Sequence, residues 1–144
     1  MNTTFSVRIF DTTANLRFSL VEKTVWHGAN INAGTWSSDG SIERLTIASG
    51  TSGALRFKSD VTGDTFLVAL GIHNNQQWCH AHVGLTPDQT AMEIHPQYHD
   101  PAGGPLGGVL MNPAARMKAR IQGGNYRKVV VEFVGPTVVN IIIY

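Results

Sequence analysis

Apolar residues recur at every second position in short runs along this chain, and each run ends in a cluster of turn formers; that pattern leaves little room for anything but β-structure. Phe5, Val7 and Ile9 alternate with Ser6 and Arg8, so an opening strand can bury one face and wet the other. Phe18 and Leu20 keep one phase while Val21, Lys23 and Val25 keep the other, which predicts a bulge near Leu20-Val21. Leu45 and Ile47, Leu55 and Phe57, then Phe66, Val68, Leu70 and Ile72 repeat the theme. Ser38-Asp39-Gly40, Thr51-Ser52-Gly53 and Thr62-Gly63-Asp64 read as the turns between them.

Past Asn74 the character changes. Leu85-Thr86-Pro87-Asp88 reads as a helix or turn start, and Pro96 to Gly108 is rich in Pro and Gly, so a short helical or loop connection is expected around residues 75–116. Strands return at Met117 to Ile121, Lys128 to Val134 and Thr137 to Ile143, with Gly135-Pro136 at a hairpin turn. Val138 to Ile143 is apolar in both phases, which predicts cover on both faces, one of them supplied by another subunit. The fold class expected is all-β, a two-sheet β-sandwich, and 144 residues fit a single domain, 1–144.

Composition narrows function mainly by exclusion. With 15% charged residues and a net charge of +1, the chain has no electrostatic footprint for nucleic acid or an anionic membrane. Cys79 is the only cysteine, so no intrachain disulfide is possible. The opening Met1 to Arg8 lacks the features of a secretory signal, and no run approaches the roughly 20 apolar residues of a membrane span. A cytoplasmic protein is expected. Neither a phosphate-binding glycine loop nor a nucleophile-elbow serine occurs, and no enzyme or cofactor is expected.

Three stretches at strand edges supply what a polar, sugar-sized pocket needs: Ala29-Asn30, Ser49 to Gly53, and His73-Asn74. Gly50 lets a ligand approach the backbone, while Ser49 and Asn74 can donate and accept in one place. Trp26, Trp36 and Trp78 offer stacking platforms for sugars, but at strand positions buried, internally satisfied indoles are the stronger expectation. A competing constellation is Cys79-His80-Ala81-His82 with His95 and His99 downstream. On a strand His80 and His82 share a face, as paired metal ligands do, but no carboxylate follows before Asp88.

Val21-Glu22-Lys23-Thr24-Val25-Trp26-His27, Ala29-Asn30, Gly34-Thr35-Trp36-Ser37, Ser49 to Gly53 with Leu55-Arg56-Phe57, and Gly71-Ile72-His73-Asn74 with Trp78-Cys79 resemble, in order and spacing, the fungal fruit-body lectins. The resemblance runs from about Thr4 to Ile94 and returns at Asn140 to Ile143. It implies an antiparallel sandwich of actinoporin-like architecture, assembled as a homotetramer or dimer. It also implies binding of galactosyl-β1,3-N-acetylgalactosamine, the Thomsen–Friedenreich disaccharide, on O-linked glycoproteins. The disaccharide pocket maps to Ala29, Ser49, Gly50, His73 and Asn74, all five of which match. The family's second pocket, for N-acetylglucosamine, falls where this chain has His80, His82 and Val83 in place of an acid, an apolar residue and a threonine, so that site is expected to be lost or altered. Asn75 replaces an aromatic beside the first pocket. The shared architecture raises a membrane-active protein as an alternative, disfavoured because strand alternation already begins at Phe5. A metal-dependent enzyme on His80 and His82 is the other.

Overall fold

The alternating runs become strands that stack as two sheets. The computed structural model describes residues 2–28, 30–32, 35–102, 104–121 and 127–144. Among them are eleven strands: β1 (Asn2–Asp11), β2 (Phe18–His27), β3 (Asn30–Asn32), β4 (Trp36–Asp39), β5 (Ile42–Ala48), β6 (Ser52–Ser59), β7 (Thr65–His73), β8 (Gln76–Leu85), β9 (Arg116–Arg120), β10 (Lys128–Phe133) and β11 (Val138–Ile143). A six-stranded sheet has the order β4-β5-β1-β11-β10-β9, and a five-stranded sheet the order β3-β2-β6-β7-β8. The pairs are antiparallel except β1 with β11, which run parallel and bring Ser6 opposite Val138.

Inward-facing residues of both sheets form the main core. Phe5, Val7, Leu45, Ile47, Val139 and Ile141 meet Val25, Leu55, Phe57, Phe66, Val68 and Leu70. Each such side chain contributes about 1.5–3 kcal/mol of burial.

The connection between β8 and β9 lies over the outer face of the five-stranded sheet. It carries a helix, α1 (Ala91–Ile94), and two 3₁₀ helices, His95–His99 and Gly104–Met111. Ile94, Tyr98, Leu106 and Leu110 from this connection pack on Ala54, Leu67, Ala69 and Trp78 of the strands. No described helix is long and apolar enough to cross a membrane.

The bulge appears where the phases change: register shifts between Leu20 and Glu22 opposite β6, leaving Val21 45% exposed. Its effect is to turn Glu22 toward the connection. There the carboxylate accepts the amides of Ala91 (2.7 Å) and Met92 (3.1 Å) and pairs with Arg56 at 2.7 Å. Burial alone would raise the Glu22 carboxyl, but the Ala91 amide, Arg56 and the Met92 amide outweigh it and hold the group below its usual range. Thr90 caps α1 by accepting the Glu93 amide.

Two expectations differ from what is found. The irregular connection begins only after Leu85, because Gln76–Leu85 pairs with β7 along its length. Ser52 and Gly53 belong to β6 rather than to a turn; the turn is Ser49-Gly50. In β11 this chain buries Val139, Ile141 and Ile143 and leaves Val138, Asn140 and Ile142 half-buried, the face for which cover by a second subunit is expected. The strand covered on both faces is β7, which the core meets on one side and the connection on the other.

Candidate functional site

Two tight turns at one end of the five-stranded sheet form the floor of the site. In the turn between β5 and β6, Gly50 adopts φ +85°, a backbone that side-chain-bearing residues rarely take. Its amide donates to Ile72 O at 2.8 Å, which ties this turn to the end of β7. The two meet so closely that a methyl at Gly71 would stand 2.5 Å from the Thr51 carbonyl oxygen. Between β7 and β8, His73 pairs with Gln76 across a two-residue turn, and both turn residues, Asn74 and Asn75, have positive φ (50° and 62°). Asparagine tolerates that conformation, which two-residue hairpins with a primed turn require.

The connection supplies the wall. After the bulge, Glu22, Thr24 and Trp26 lie opposite Arg56, Ala54 and Ser52 on the outer face. Trp26 is half-buried and stacks on His99, with ring centroids 3.7 Å apart and planes at 3°. His99 Nε2 is 2.7 Å from Ser52 Oγ, which is also 2.8 Å from His95 Nε2. His95 Nδ1 in turn lies 2.7 Å from Thr24 Oγ1. Burial pushes His95 down to about 3, with His99 adding to the effect, and pushes His99 down to about 4, with His73 adding to it. Both rings are neutral at physiological pH.

Turns and wall enclose a cavity of about 960 Å³. Of the five residues singled out in the sequence, Ser49, Gly50, His73 and Asn74 line it together. Ala29 lies outside the described residues. Sequence reasoning missed Tyr98, Leu110 and Met111, all of which also line the cavity; it set His99 with the metal-type histidines instead, and it favoured a buried structural role for Trp26, which is half-buried and lines the cavity. The available signals were that Trp26 shares the outer phase of Glu22 and Thr24, and that His95 and His99 are four residues apart in a segment with helical potential. The other two indoles are buried as expected, but only Trp36 has a partner, donating to Thr24 O at 2.7 Å. Trp78 Nε1 is buried with none among the described residues.

The histidines of β8 go elsewhere. His80 and His82 share the outer face, whereas Val83 packs against the main core on the other side. His80 Nδ1 bonds the Tyr98 hydroxyl at 2.8 Å, and burial, with His82 nearby, lowers its titration to about 4. Burial lowers His82 too. His80, Asn112 and Arg116 line a smaller cavity of about 400 Å³. Arg116 also pairs with Glu132 at 3.3 Å. Among the described residues no three His, Cys, Asp or Glu groups come together to hold a metal ion. Cys79 points into the core, donates to Val131 O, and has its thiol pushed up to about 12 by burial and Glu132.

Comparison with known proteins bears on this geometry. The family model described as fungal fruit body lectin matches residues 1–136. Boletus edulis lectin is 51% identical over 84 residues, 58% of this chain and 57% of that protein, so the match spans little more than half the length of that curated relative. The crystal structure of wild-type Xerocomus chrysenteron lectin superimposes with a TM-score of 0.86 at 36% identity, covering 100% of both chains. The lipid-binding protein Nakanori, at 10% identity and a TM-score of 0.52 over 99% of this chain and 70% of its own, shares the fold alone. The family and its two named relatives are lectins, not enzymes.

Proposed function

Because the chain belongs to the fungal fruit body lectin family, we propose that its larger cavity binds galactosyl-β1,3-N-acetylgalactosamine, or glycans ending in galactose or N-acetylgalactosamine, on O-linked glycoproteins. The observation that carries this reading is the convergence of Ser49, Gly50, His73 and Asn74 on one cavity of about 960 Å³, a size at the upper end of ordinary small-molecule pockets. Short polar side chains beside an open glycine suit a ligand made of hydroxyls. A hydroxyl of the wrong configuration leaves one of them unpaired, and that is how axial and equatorial epimers are told apart. Trp26 adds an aromatic surface for the apolar face of a sugar ring. Ala29 is the fifth proposed contact.

The second, N-acetylglucosamine-type site is altered in this reading, because His80 stands where an acidic acceptor is expected and its Nδ1 is already engaged by Tyr98. Several copies in a dimer or tetramer crosslink glycoproteins, so that avidity offsets weak single-site binding, and the protein acts as a cytoplasmic defence agglutinin without entering membranes.

A glycan array tests the specificity, with signal expected on galactosyl-N-acetylgalactosamine and none on N-acetylglucosamine. The double variant His73→Ala, Asn74→Ala is expected to bind the disaccharide about a hundredfold more weakly. An array without the galactosyl preference, or a double variant that agglutinates cells as well as the parent, overturns the reading.

A further inference from the structure

One wall of the larger cavity ends in a chain of buried hydrogen bonds whose direction can be read. Thr24, Ser52 and His95 are 3%, 0% and 0% exposed, so each polar hydrogen among them needs a protein acceptor. Among the described residues the Thr24 hydroxyl has one hydrogen-bond partner, His95 Nδ1 at 2.7 Å. If Thr24 donates there, His95 carries its own proton on Nε2 and donates it to Ser52 Oγ at 2.8 Å. The Ser52 hydrogen then has His99 Nε2, at 2.7 Å, as its acceptor. A neutral His99 that accepts at Nε2 must hold its proton on Nδ1. Running the chain in the opposite sense strands the Thr24 hydrogen in the interior, so satisfaction of the buried groups selects one sense.

His99 lines the cavity, its ring is clamped flat on Trp26, and Nδ1 makes no hydrogen bond to any described residue. It is the ring nitrogen left for an occupant.

Resting on the reading that this cavity is the sugar site, we propose that His99 is a specificity-determining contact: its Nδ1–H is a fixed neutral donor to an acceptor oxygen of the bound sugar, a hydroxyl, ring or acetamido carbonyl oxygen. Thr24, His95 and Ser52 are positioning residues that set the tautomer without touching the ligand. Because the stacked ring cannot swing away and the tautomer cannot invert without an unmade buried hydrogen bond, the site discriminates by a donor it holds ready before binding.

The test joins nitrogen-15 NMR of the imidazoles to titration with galactosyl-β1,3-N-acetylgalactosamine. In the free protein the proton is expected on Nδ1 of His99 and Nε2 of His95, and the His99 Nδ1 resonance is expected to move on saturation. His99→Phe keeps an aromatic ring against Trp26 and is expected to bind about tenfold more weakly. Thr24→Val, outside the cavity lining, is expected to weaken binding about threefold and to let His99 populate both tautomers, a signature that mere loss of stability does not produce. A parent protein that binds the disaccharide with His99 protonated on Nε2, or a His99→Phe variant of unchanged affinity, overturns this inference and leaves the sugar site standing. A parent protein that does not bind the disaccharide overturns both.

Discussion

The two faces of the five-stranded sheet are both largely buried, yet they are held by different physics. On the inner face Leu55, Phe57, Phe66, Val68 and Leu70 meet the opposite sheet through apolar contact, which is strong in sum and indifferent to which atom touches which. On the outer face of the same sheet, the packing of Ile94, Tyr98, Leu106 and Leu110 is accompanied by directed bonds that join Glu22, Thr24 and Ser52 to the connection, with Arg56 held by Glu22. A misplaced methylene on the inner face costs packing. A misplaced hydrogen on the outer face costs a partner that nothing else in the interior can replace. Both sides of the sheet therefore contribute stability, but recognition lies on the outer side alone, so the inner side can be perturbed without touching it.

The largest expected effect lies on the inner face. Phe66→Ala removes a fully buried ring and is expected to lower unfolding stability by about 3–5 kcal/mol in urea titrations, while the folded fraction keeps its disaccharide affinity. Affinity falling in step with stability would erase the distinction between the faces.

Acid should act next, through the buried histidines of the outer face. The unfolded chain takes up protons on its imidazoles near the ordinary value of 6.5, whereas the folded chain keeps His80, His99 and His95 neutral down to about 4, 4 and 3. Across that window the unfolded state binds more protons, so stability is complete above pH 6.5 and declines as pH falls toward 4. Urea midpoints measured between pH 8 and 4 check this, and a flat profile would break the comparison.

Gly71→Ala probes the seam between the faces. Its methyl meets the Thr51 carbonyl, so the Ser49-Gly50 turn must shift. About 1–3 kcal/mol of stability and part of the disaccharide affinity are expected to go together, measurable by thermal melting and calorimetric titration. The smallest effect is expected from Glu22→Gln, about 1–2 kcal/mol, because the amide oxygen still accepts from one of the Ala91 and Met92 amides while the other loses its acceptor and Arg56 its counter-charge. Its test is hydrogen exchange, which should quicken in residues 91–99 and not in β6 or β7.

How much of this was legible in the sequence follows from how local each cause is. The inner face was readable because alternation is a property of neighbours: Phe66, Val68 and Leu70 sit inside where their phase puts them. The bulge at Leu20 to Glu22 was readable for the same reason. Ser49, Gly50, His73 and Asn74 have turn chemistry of their own, and the family resemblance supplied the link between two loops that spacing alone could not join. The choice between the buried and the ligand-facing role of Trp26 was not legible, because its surroundings depend on His99, far along the chain, and no period or cap reports where the connection lies. The apolar run of β11 states a capacity for burial in both phases without naming what does the burying, and this chain itself buries only Val139, Ile141 and Ile143.

The parallel pairing of β1 with β11 has a consequence for how the molecule is made. Arg8 and Asn140 are bonded across 132 positions, and β1 sits in the middle of its sheet, between β5 and β11. During translation the early strands must wait with one hydrogen-bonding edge open until β11 emerges, since no nearer segment fills that slot. Closure of the six-stranded sheet is thus a late, long-range step of high entropic cost. The nascent chain is most exposed to mispairing with its own copies in the interval just before that step.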